Sequence, residues 1–401
     1  MVGISKLYCG GVHASDALRY GRMSRKLPPH LLQFSEDKKP VIVWNITRTC
    51  NLNCIHCYSQ SKNLRYNNEL TLEEGKAFIE DAAAFGSPVM LFSGGEPLMH
   101  PRFLDLAFYA KSKGMRAVIS TNGTLITKEL AAELKKVGLS YVGISLDGLS
   151  KVHDKFRGKK GAFLEAMAGI NYAKEAGIKV GLRFTINKRN AQEIPGIFKL
   201  LEEENIPRVC FYHLVYAGRG SKLVDEDLSH EEARQTMDMI LKLTKDVYAR
   251  DNTKEVLTVD NHADGPYIYL KLLKENRKEA ADEVMTLLKM NGGNSSGVGI
   301  ASVSWDGEVY ADQFWRHYSF GNVKERKFSE IWQDTSNPLM KKLKNKKDYV
   351  TGRCAGCKWL DICNGNFRVR SEAAAGNLWA PDPACYLTDE EIGIKNEAQA
   401  I

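Results

Sequence analysis

The stretch Cys50-Asn51-Leu52-Asn53-Cys54-Ile55-His56-Cys57 decides the fold, because it places three cysteines at C-x3-C-x2-C spacing directly after an apolar run at 41–47. Three thiolates so close together can bind three irons of a cubane [4Fe–4S] cluster and leave the fourth iron without a protein ligand. An open position of this kind can bind a substrate or cofactor, as it does in a catalytic zinc site. The alternative is a zinc site that His56 or a distant residue completes, although zinc sites usually offer C-x2-C pairs.

The apolar run before this loop is the first of six that alternate with amphipathic segments. β-branched and aromatic residues dominate these runs, which is typical of parallel strands buried on both faces. The six predicted strands span residues 41–47, 89–93, 117–121, 141–146, 180–186 and 209–215. The intervening segments predict helices over 71–86, 101–113, 127–137, 162–176 and 195–205. The first of these helices opens with a Thr71–Glu74 capping box and ends at Gly86.

Strand–helix alternation predicts parallel strands joined by right-handed crossovers, with functional residues at the carboxyl ends of the strands. Six strands are too few for a closed eight-stranded barrel. We therefore predict the α/β class, either as an open, partial (β/α)6 barrel or as a doubly wound sheet.

The composition is that of an ordinary globular protein, since 43% of the 401 residues are hydrophobic and 26% are charged. No apolar run reaches the roughly 18 residues that cross a bilayer, and the N-terminus lacks the order of a signal peptide. We therefore expect a soluble, cytoplasmic protein that does not bind a membrane. The net charge of +7 is spread along the chain, which does not favour nucleic-acid binding.

Seven of the nine cysteines fall into two groups, and this clustering, together with the odd total, favours metal or redox chemistry over disulfides. The second group supplies four thiolates, enough for a cluster with no open iron, and a four-cysteine zinc site is the alternative. Its members are Cys354, Cys357, Cys363 and Cys385. Cys9 and Cys210 stand alone, and we expect them to pack as small apolar residues.

These patterns divide the chain into four predicted regions. They are an N-terminal extension (1–39), the strand–helix core (40–216), a helical linker (217–298) and an irregular C-terminal iron–sulfur domain (299–401). The linker contains a second capping box, from Ser229 to Glu232. The C-terminal domain opens with a predicted hairpin at 300–311 that turns at Asp306-Gly307.

The cysteine loop, with Tyr58 after its third cysteine, resembles that of the radical S-adenosylmethionine (SAM) enzymes, and four further motifs follow in that family's order. They are Ser93-Gly94-Gly95-Glu96-Pro97, Ser120-Thr121-Asn122-Gly123, Ser145-Leu146-Asp147-Gly148 and a segment from His153 to Arg157-Gly158. Each motif alone is an ordinary turn, because Ser, Asn, Asp and Gly are common turn residues. Four such turns in one register after the cysteine loop make the resemblance specific, and it covers about 40–216.

The resemblance implies which residues contact SAM. Glu96 would pair with the SAM ammonium beside glycines that admit close approach, and Arg157 would approach the SAM carboxylate. Polar groups at the next two strand ends would bind the ribose. The implied cofactor-binding residues are Tyr58, Gly94, Gly95, Glu96, Pro97, Ser120, Asn122, Ser145, Asp147 and Arg157.

The resemblance also implies reductive cleavage of SAM at the open iron, which yields methionine and a 5′-deoxyadenosyl radical. The electron would come from a donor such as ferredoxin or flavodoxin. The second cysteine group resembles the C-terminal SPASM or twitch extension of these enzymes, which carries auxiliary [4Fe–4S] clusters. Because the upstream cysteines of the full SPASM pattern are missing here, we expect one auxiliary cluster and therefore two [4Fe–4S] clusters in all.

Segments outside the cysteines resemble the tetrapyrrole-modifying radical SAM proteins. These segments span residues 3–21, 312–315, 321–323 and 362–387. Within that subfamily the chain is most similar to the deacetylases of the siroheme-dependent haem pathway. That similarity implies removal of the two acetate side chains of 12,18-didecarboxysiroheme to leave methyl groups in iron-coproporphyrin III. The alternatives are a haem d1 relative that removes propionates, a SPASM peptide maturase, and a non-enzymatic electron carrier.

The implied substrate is an anionic iron-tetrapyrrole. Basic side chains would bind its carboxylates, aromatic side chains would pack on its ring, and a histidine would bind its iron. His262, in the polar loop 260–265, is the preferred catalytic residue, as an iron ligand or proton donor. An ordinary loop histidine is the alternative. Candidates for the substrate's carboxylates and ring are Arg19, Arg22, Trp315, Arg316 and Arg368, each of which could equally be a surface charge or a core aromatic.

Overall fold

The computed structural model describes residues 1–20 and 39–394. All of its named strands belong to one sheet. They are β1 (Val2–Gly3), β2 (Val41–Thr47), β3 (Val89–Gly94), β4 (Arg116–Thr121), β5 (Tyr141–Ser145), β6 (Val180–Ile186), β7 (Arg208–His213), β8 (Glu255–Val259), β9 (Ile300–Val303) and β10 (Val309–Tyr310).

The strand order across the sheet is β1-β8-β7-β6-β5-β4-β3-β2-β9-β10. The strands from β8 to β9 in this order run parallel. At the two edges, β1 pairs antiparallel with β8 and β10 pairs antiparallel with β9. In the described part of the chain these two edges do not pair with each other, so the sheet is open.

The six predicted strands are β2 to β7, and they form the centre of the sheet as parallel strands, as predicted, with neighbours in the sequence also neighbours in the sheet. The α/β class and the open strand–helix core are therefore confirmed, and β8 and β9 extend the parallel sheet on either side. The predicted hairpin is also confirmed, because Val309 pairs with Val303 across a turn that contains Gly307 at φ +95°. The four-region division remains a prediction, since β9 of the C-terminal region pairs directly with β2 of the core.

The helices lie between the strands and along the C-terminal region. They are α1 (Ile4–Leu7), α2 (Asp16–Tyr20), α3 (Leu72–Ala84), α4 (Phe103–Ser112), α5 (Lys128–Lys136), α6 (Ser150–Arg157), α7 (Ala162–Glu175), α8 (Ile194–Glu203), α9 (His230–Arg250), α10 (Asp264–Lys274), α11 (Lys278–Asn291), α12 (Phe328–Gln333), α13 (Pro338–Lys344), α14 (Leu360–Cys363), α15 (Arg368–Ala375) and α16 (Asp389–Ile392). Both predicted capping boxes are present, Thr71 with Glu74 on α3 and Ser229 with Glu232 on α9. Within the described residues, no helix combines the length and apolar character that a bilayer crossing requires.

Strand β8 lies inside the region for which only helices were predicted. Its sequence begins with a carboxylate, Glu255, which masked the short apolar run behind it. Glu255 is buried, and it accepts hydrogen bonds from Arg19 Nη2 at 2.8 Å and from Arg208 Nε at 2.5 Å. A buried charge is tolerated where opposite charges pair with it. The same contacts correct the prediction for Arg19, whose buried guanidinium serves this ion cluster and not a substrate carboxylate.

The carboxyl ends of the parallel strands meet at one edge of the sheet, where the predicted motifs follow β2, β3, β4 and β5. The C-terminal region is tied to this edge by Arg370 of α15. Its guanidinium donates to the carbonyl oxygens of Leu214 at 2.9 Å and Asp260 at 2.7 Å, just after β7 and β8. Cysteine motifs far apart in sequence are thereby attached to the same edge of the sheet.

Candidate active site

Each of the three cysteines after β2 has a hydrogen-bonding group at its sulfur. A backbone N–H donates to Cys50 Sγ at 3.4 Å, and Arg157 Nη1 donates to Cys54 Sγ at 3.4 Å. Cys57 Sγ lies 3.2 Å from the Ser59 hydroxyl oxygen. Hydrogen bonds to sulfur stabilise thiolates and tune the potential of iron–sulfur clusters. The loop therefore suits thiolate ligands.

Burial changes the acidity of these thiols. It raises the pKa of the Cys50 thiol to about 12, and it raises the pKa of Cys54 although Arg157 opposes that change. Buried thiols with raised pKa values stay protonated unless a positive charge such as a metal centre takes the place of the proton. The thiols thus fit a metal cluster better than they fit free thiolate chemistry.

Arg219 fixes the cysteine loop through its carbonyl oxygens. Its Nε donates to Cys54 O at 2.7 Å, its Nη1 to Ser61 O at 2.9 Å, and its backbone N–H to Cys57 O at 2.9 Å. Sequence reasoning missed this residue, because nothing in the sequence near 219 indicates a contact with a loop more than 150 positions away. The loop geometry is therefore set by a distant side chain as well as by its own spacing.

The two glycines after β3 are required by close packing against the same loop. Gly94 has φ +120°, and a Cβ at that position would collide with the carbonyl oxygen of Thr47. A Cβ at Gly95 would collide with the carbonyl oxygen of Thr49. The Gly95 N–H donates to Thr47 O at 2.7 Å. The observed reason for these glycines is thus the approach of the cysteine loop to the strand end.

A cavity opens at the carboxyl ends of the strands. It brings together most of the residues that the motifs predicted: Cys50, Cys54, Cys57, Tyr58, Gly94, Gly95, Ser120, Asn122, Ser145 and Arg157. The hydroxyls of Ser120 and Ser145 have no hydrogen-bond partner in the described part of the chain, so they are available to a ligand. Glu96, Pro97 and Asp147 do not line this cavity.

Glu96 is buried and connects neighbouring strand ends. Its carboxylate accepts hydrogen bonds from the Thr121 hydroxyl at 2.7 Å, from the Asn122 N–H at 2.8 Å and from the Leu98 N–H at 3.1 Å. Pro97 begins the short 3-10 helix that this last bond caps. The role predicted for Glu96, pairing with the SAM ammonium, stays a prediction, because most of its acceptor capacity is already used.

Asp147 is also fully buried, and it pairs with Arg157. Its Oδ1 accepts from the Thr185 N–H at 2.8 Å, and His56 Nε2 lies 3.6 Å from its Oδ2. Burial disfavours the charged carboxylate, but Arg157 still holds the pKa of Asp147 below its usual value. In this structure Asp147 orients Arg157, and the predicted ribose contact stays a prediction.

The lining of the cavity also contains polar residues that sequence reasoning missed. They include Arg183, Tyr212, His213, Asp260 and Gln313. The Arg183 guanidinium carbon lies 4.6 Å from the ring centroid of Tyr212, and within the described residues it pairs with no carboxylate. Asp260 has φ +66° and a buried Oδ2 that accepts no hydrogen bond from any described residue. The cavity lining therefore contains a cation and a carboxyl oxygen that no described residue pairs with.

His213 is positioned by a carboxylate behind it. Its Nε2 lies 3.0 Å from Asp264 Oδ2, and Tyr386 donates to Asp264 Oδ1 at 2.6 Å. Burial disfavours the imidazolium, but Asp264 raises the pKa of His213 above its usual value. His262 is buried outside the cavity lining, and its backbone N–H donates to Asn366 Oδ1 at 2.7 Å. His262 therefore does not contact the cavity, whereas His213 does, and the catalytic role of His262 stays a prediction.

The second cysteine group lines a small cavity in the C-terminal region. All four predicted ligands contribute to it: Cys354, Cys357, Cys363 and Cys385. The Trp359 N–H donates to Cys357 Sγ at 3.3 Å, and burial raises the pKa of the Cys363 and Cys385 thiols to about 12. Across residues 1–20 and 39–394, no three His, Cys, Asp or Glu side chains are placed to share a single metal ion.

The structure places the remaining predicted substrate residues in different environments. Arg368 is buried and donates to the carbonyl oxygens of Leu378 and Ala380, so its predicted role toward a substrate carboxylate is wrong. Trp315 is buried outside the catalytic cavity and donates to Glu372. Arg22 lies outside the described residues. Arg316 lines a second cleft, and Cys210 packs in β7 as predicted.

Two family profiles match the chain. The profile of the radical SAM superfamily matches residues 44–201, which contain the cysteine loop and the four motifs after it. The profile of the SPASM iron–sulfur cluster-binding domain matches residues 296–358, which include Cys354 and Cys357. The first profile implies SAM and a [4Fe–4S] cluster, and the second implies a further iron–sulfur cluster. They decide for iron–sulfur over the zinc alternatives.

Similar proteins agree with these profiles. The chain is 68% identical over 396 residues to the Fe-coproporphyrin III synthase of Methanosarcina barkeri, covering 98% of this chain and 99% of that protein. It is 39% identical over 361 residues to the pre-heme d1 synthase of Dinoroseobacter shibae, covering 90% of this chain and 89% of that protein. The crystal structure of Streptococcus suis SuiB bound to S-adenosylmethionine superposes with a TM-score of 0.68 over 87% of this chain and 78% of that one, at 18% identity, which supports the fold alone.

The described thiols and the cavity beside them fit the cofactors that the profiles imply. Three hydrogen-bonded sulfurs line this cavity, together with the Ser120 and Ser145 hydroxyls and the Arg157 guanidinium. The chain is therefore a radical SAM enzyme with a SPASM iron–sulfur domain, and it belongs to the group of the superfamily that contains Fe-coproporphyrin III synthase and pre-heme d1 synthase.

Proposed function

We propose that this enzyme forms iron-coproporphyrin III by removing the two acetate side chains of 12,18-didecarboxysiroheme and leaving methyl groups. The observation that carries this proposal is the 68% identity to an Fe-coproporphyrin III synthase along 98% of the chain. Identity to the pre-heme d1 synthase is much lower, at 39%. The proposed partners are the anionic iron-tetrapyrrole substrate and an electron donor such as ferredoxin or flavodoxin.

The cysteine loop and the strand ends form the proposed cofactor site. Cys50, Cys54 and Cys57 would hold the cluster, and the free hydroxyls of Ser120 and Ser145 would bind the SAM ribose. When bound, SAM and the cluster supply the 5′-deoxyadenosyl radical chemistry by which this superfamily removes hydrogen from unactivated carbon. The chain itself orients the two groups and limits access of water.

Arg183 and His213, both in the cavity lining, form the proposed substrate contacts. Arg183 has a guanidinium that no described carboxylate neutralises, so it would bind a carboxylate of the tetrapyrrole. His213, which Asp264 orients, would contact the reacting edge of the macrocycle. In the C-terminal region we propose a single auxiliary [4Fe–4S] cluster, held by Cys354, Cys357, Cys363 and Cys385.

Anaerobic turnover tests the proposal. The reconstituted enzyme is incubated with SAM, a reductant and 12,18-didecarboxysiroheme, and the tetrapyrrole is analysed by mass spectrometry. Loss of two acetate units supports the proposed reaction, and loss of propionates would select the haem d1 type of reaction. Formation of 5′-deoxyadenosine with an unchanged tetrapyrrole would overturn the substrate assignment while the enzyme class stands.

A further inference from the structure

A second cleft next to the catalytic cavity contains two arginines that form no ion pair within the described residues. It is open to solvent and shares Tyr58 and Phe314 with the cavity. These two rings meet edge to face with their centroids 5.1 Å apart, so they stand between the two spaces. The arginines that line the cleft are Arg48 and Arg316.

Both guanidiniums lie against one indole ring. The Arg48 Cζ is 5.2 Å and the Arg316 Cζ is 4.3 Å from the ring centroid of Trp305. Contact with an aromatic ring stabilises a guanidinium and fixes its orientation but does not neutralise its charge. The pair is therefore held in place with its charge uncompensated.

The hydrogen bonds of the pair are incomplete as well. The Nε atoms of Arg48 and Arg316 are buried and have no hydrogen-bond partner in the ranges 1–20 and 39–394. Arg316 Nη1 donates to Ser59 O at 3.3 Å, and no other hydrogen bond of either side chain is present among the described residues. Burial lowers the pKa of Arg316, and the nearby positive charge of Arg48 lowers it further. Two adjacent guanidiniums with unpaired N–H groups raise the free energy of the folded protein unless an anion neutralises them and accepts their hydrogen bonds.

The carboxylates nearby do not supply that anion. Glu372 lines the same cleft, but it accepts hydrogen bonds from Trp315 at 2.6 Å and Tyr318 at 2.7 Å and lies 3.0 Å from His317 Nε2. Asp306 is bonded to the Ser304 hydroxyl. Neither carboxylate lies within ion-pair distance of the two arginines. Among residues 1–20 and 39–394, the pair is therefore without a compensating carboxylate, and an anionic ligand in the cleft would supply one.

We propose that Arg48 and Arg316 bind a carboxylate side chain of the tetrapyrrole substrate and so hold one edge of the macrocycle beside the Tyr58–Phe314 partition. This inference rests on the proposed function. A guanidinium offers a planar fork that matches a carboxylate, and two forks at one position suit a polycarboxylate ring. The contact would determine substrate affinity and placement, and it would leave cofactor binding unaffected.

Substitution of each arginine by glutamine tests the site. Arg48→Gln, Arg316→Gln and the control Arg326→Gln are prepared as anaerobically reconstituted enzymes. The control removes one positive charge from an exposed ion pair, that of Arg326 with Asp334. The probe is Fe-coproporphyrin III, titrated by absorbance. We expect Kd to rise roughly 10- to 100-fold in the first two variants and to stay unchanged in the control. KM for 12,18-didecarboxysiroheme should rise with little change in kcat, and SAM affinity and iron content should match wild type.

Two results would overturn the inference: an unchanged porphyrin Kd in both variants, or weakened SAM binding in place of weakened porphyrin binding. If Arg316→Gln loses iron, Arg48→Gln decides, because Arg48 makes no hydrogen bond to the cysteine loop. Wild-type turnover separates the two proposals. If wild type removes the acetates and the variants bind porphyrin as tightly as wild type does, only this site is refuted. If wild type neither converts the substrate nor binds the porphyrin, the proposed function is refuted as well.

Discussion

Arg157 Nη1 lies 3.4 Å from Cys54 Sγ and donates a hydrogen bond to it. The same guanidinium pairs with the buried carboxylate of Asp147, so its position is fixed from the end of β5. A positive charge and a hydrogen bond at a cluster ligand stabilise the reduced, more negative state of an iron–sulfur cluster. Arg157 is thus placed to influence how readily the cluster accepts an electron.

We therefore expect Arg157→Gln to make the reduction potential of the SAM-binding cluster more negative. An EPR-monitored redox titration of the anaerobic enzyme, carried out without SAM, measures this potential. Arg102→Gln is the matched control, because Arg102 pairs with Asp105 on the exposed side of α4. Equal potentials in Arg157→Gln and wild type would mean that the Cys54 contact has no electronic effect.

The two cysteine groups should lose iron independently, because they line separate cavities. The reconstituted wild type should hold about eight irons. Replacing Cys50, Cys54 and Cys57 by alanine should leave about four, and so should replacing the four late cysteines. Iron and sulfide analysis gives the counts, and Cys9→Ala should keep the full complement. Loss of all iron from either multiple variant would contradict two independent clusters.

The ion pair between Arg370 and Asp382 is completely buried, with a donor–acceptor distance of 2.7 Å at Nε. Removing one partner leaves an uncompensated buried charge, so Arg370→Ala should lower the free energy of unfolding by about 3–5 kcal/mol. Anaerobic urea unfolding measures this loss. The double variant with Asp382→Ala should recover part of it, and Arg250→Ala, at an exposed pair with Glu202, should leave the unfolding midpoint near that of wild type. Additive losses in the double variant would refute the pairing argument.

Most of the core could be predicted from the sequence, because its strands and helix ends carry local signals. The run at 41–47 is apolar at five of its seven positions, and the structure places a strand there, Val41–Thr47. The Thr71 and Glu74 side chains form the capping box that their spacing indicates. Strand β8 was missed because Glu255 breaks the apolar pattern, and its neutralising partner Arg208 lies 47 residues away.

In the site as well, residues with a local sequence signal could be predicted and residues that depend on long-range contacts could not. The cysteines of both groups could be assigned because their spacing is itself the signal. His213 could not, because its importance comes from Asp264, 51 residues later, and from the cavity that both elements border. The orientation of Glu96 was equally inaccessible, since its partner Thr121 lies on the neighbouring strand. Long-range pairings of this kind leave no periodicity in the sequence.

Substitution of the two histidines tests which one serves the substrate. His213→Gln should lower kcat/KM for 12,18-didecarboxysiroheme by roughly 10- to 100-fold, because it removes a charge-assisted contact at the cavity wall. His262→Gln should have little effect, since His262 does not line the cavity. Product formation is measured by mass spectrometry, with iron content as the control for folding. The reverse order of the two effects would restore His262 as the catalytic residue.

Asp260 makes the stability of the fold depend on pH. Burial raises the pKa of this carboxyl to about 6 from the ordinary 3.8, against the attraction of the N-terminal amino group and Arg370. A raised folded-state pKa means that the folded protein binds the proton more tightly than the unfolded chain does. The resulting stabilisation is complete below pH 3.8 and is lost as the pH rises through about 6.

Asp260→Asn removes this titration while keeping a residue that tolerates the left-handed backbone conformation at this position, where φ is +66°. Relative to wild type, the variant should therefore gain stability as the pH rises from about 4 to about 6, by about 3 kcal/mol at most. Anaerobic unfolding at a series of pH values measures the difference between the two proteins, and comparison at one pH cancels the titration of every other group. A difference that stays constant across this range would show that Asp260 is ionised throughout, with a partner that compensates its charge.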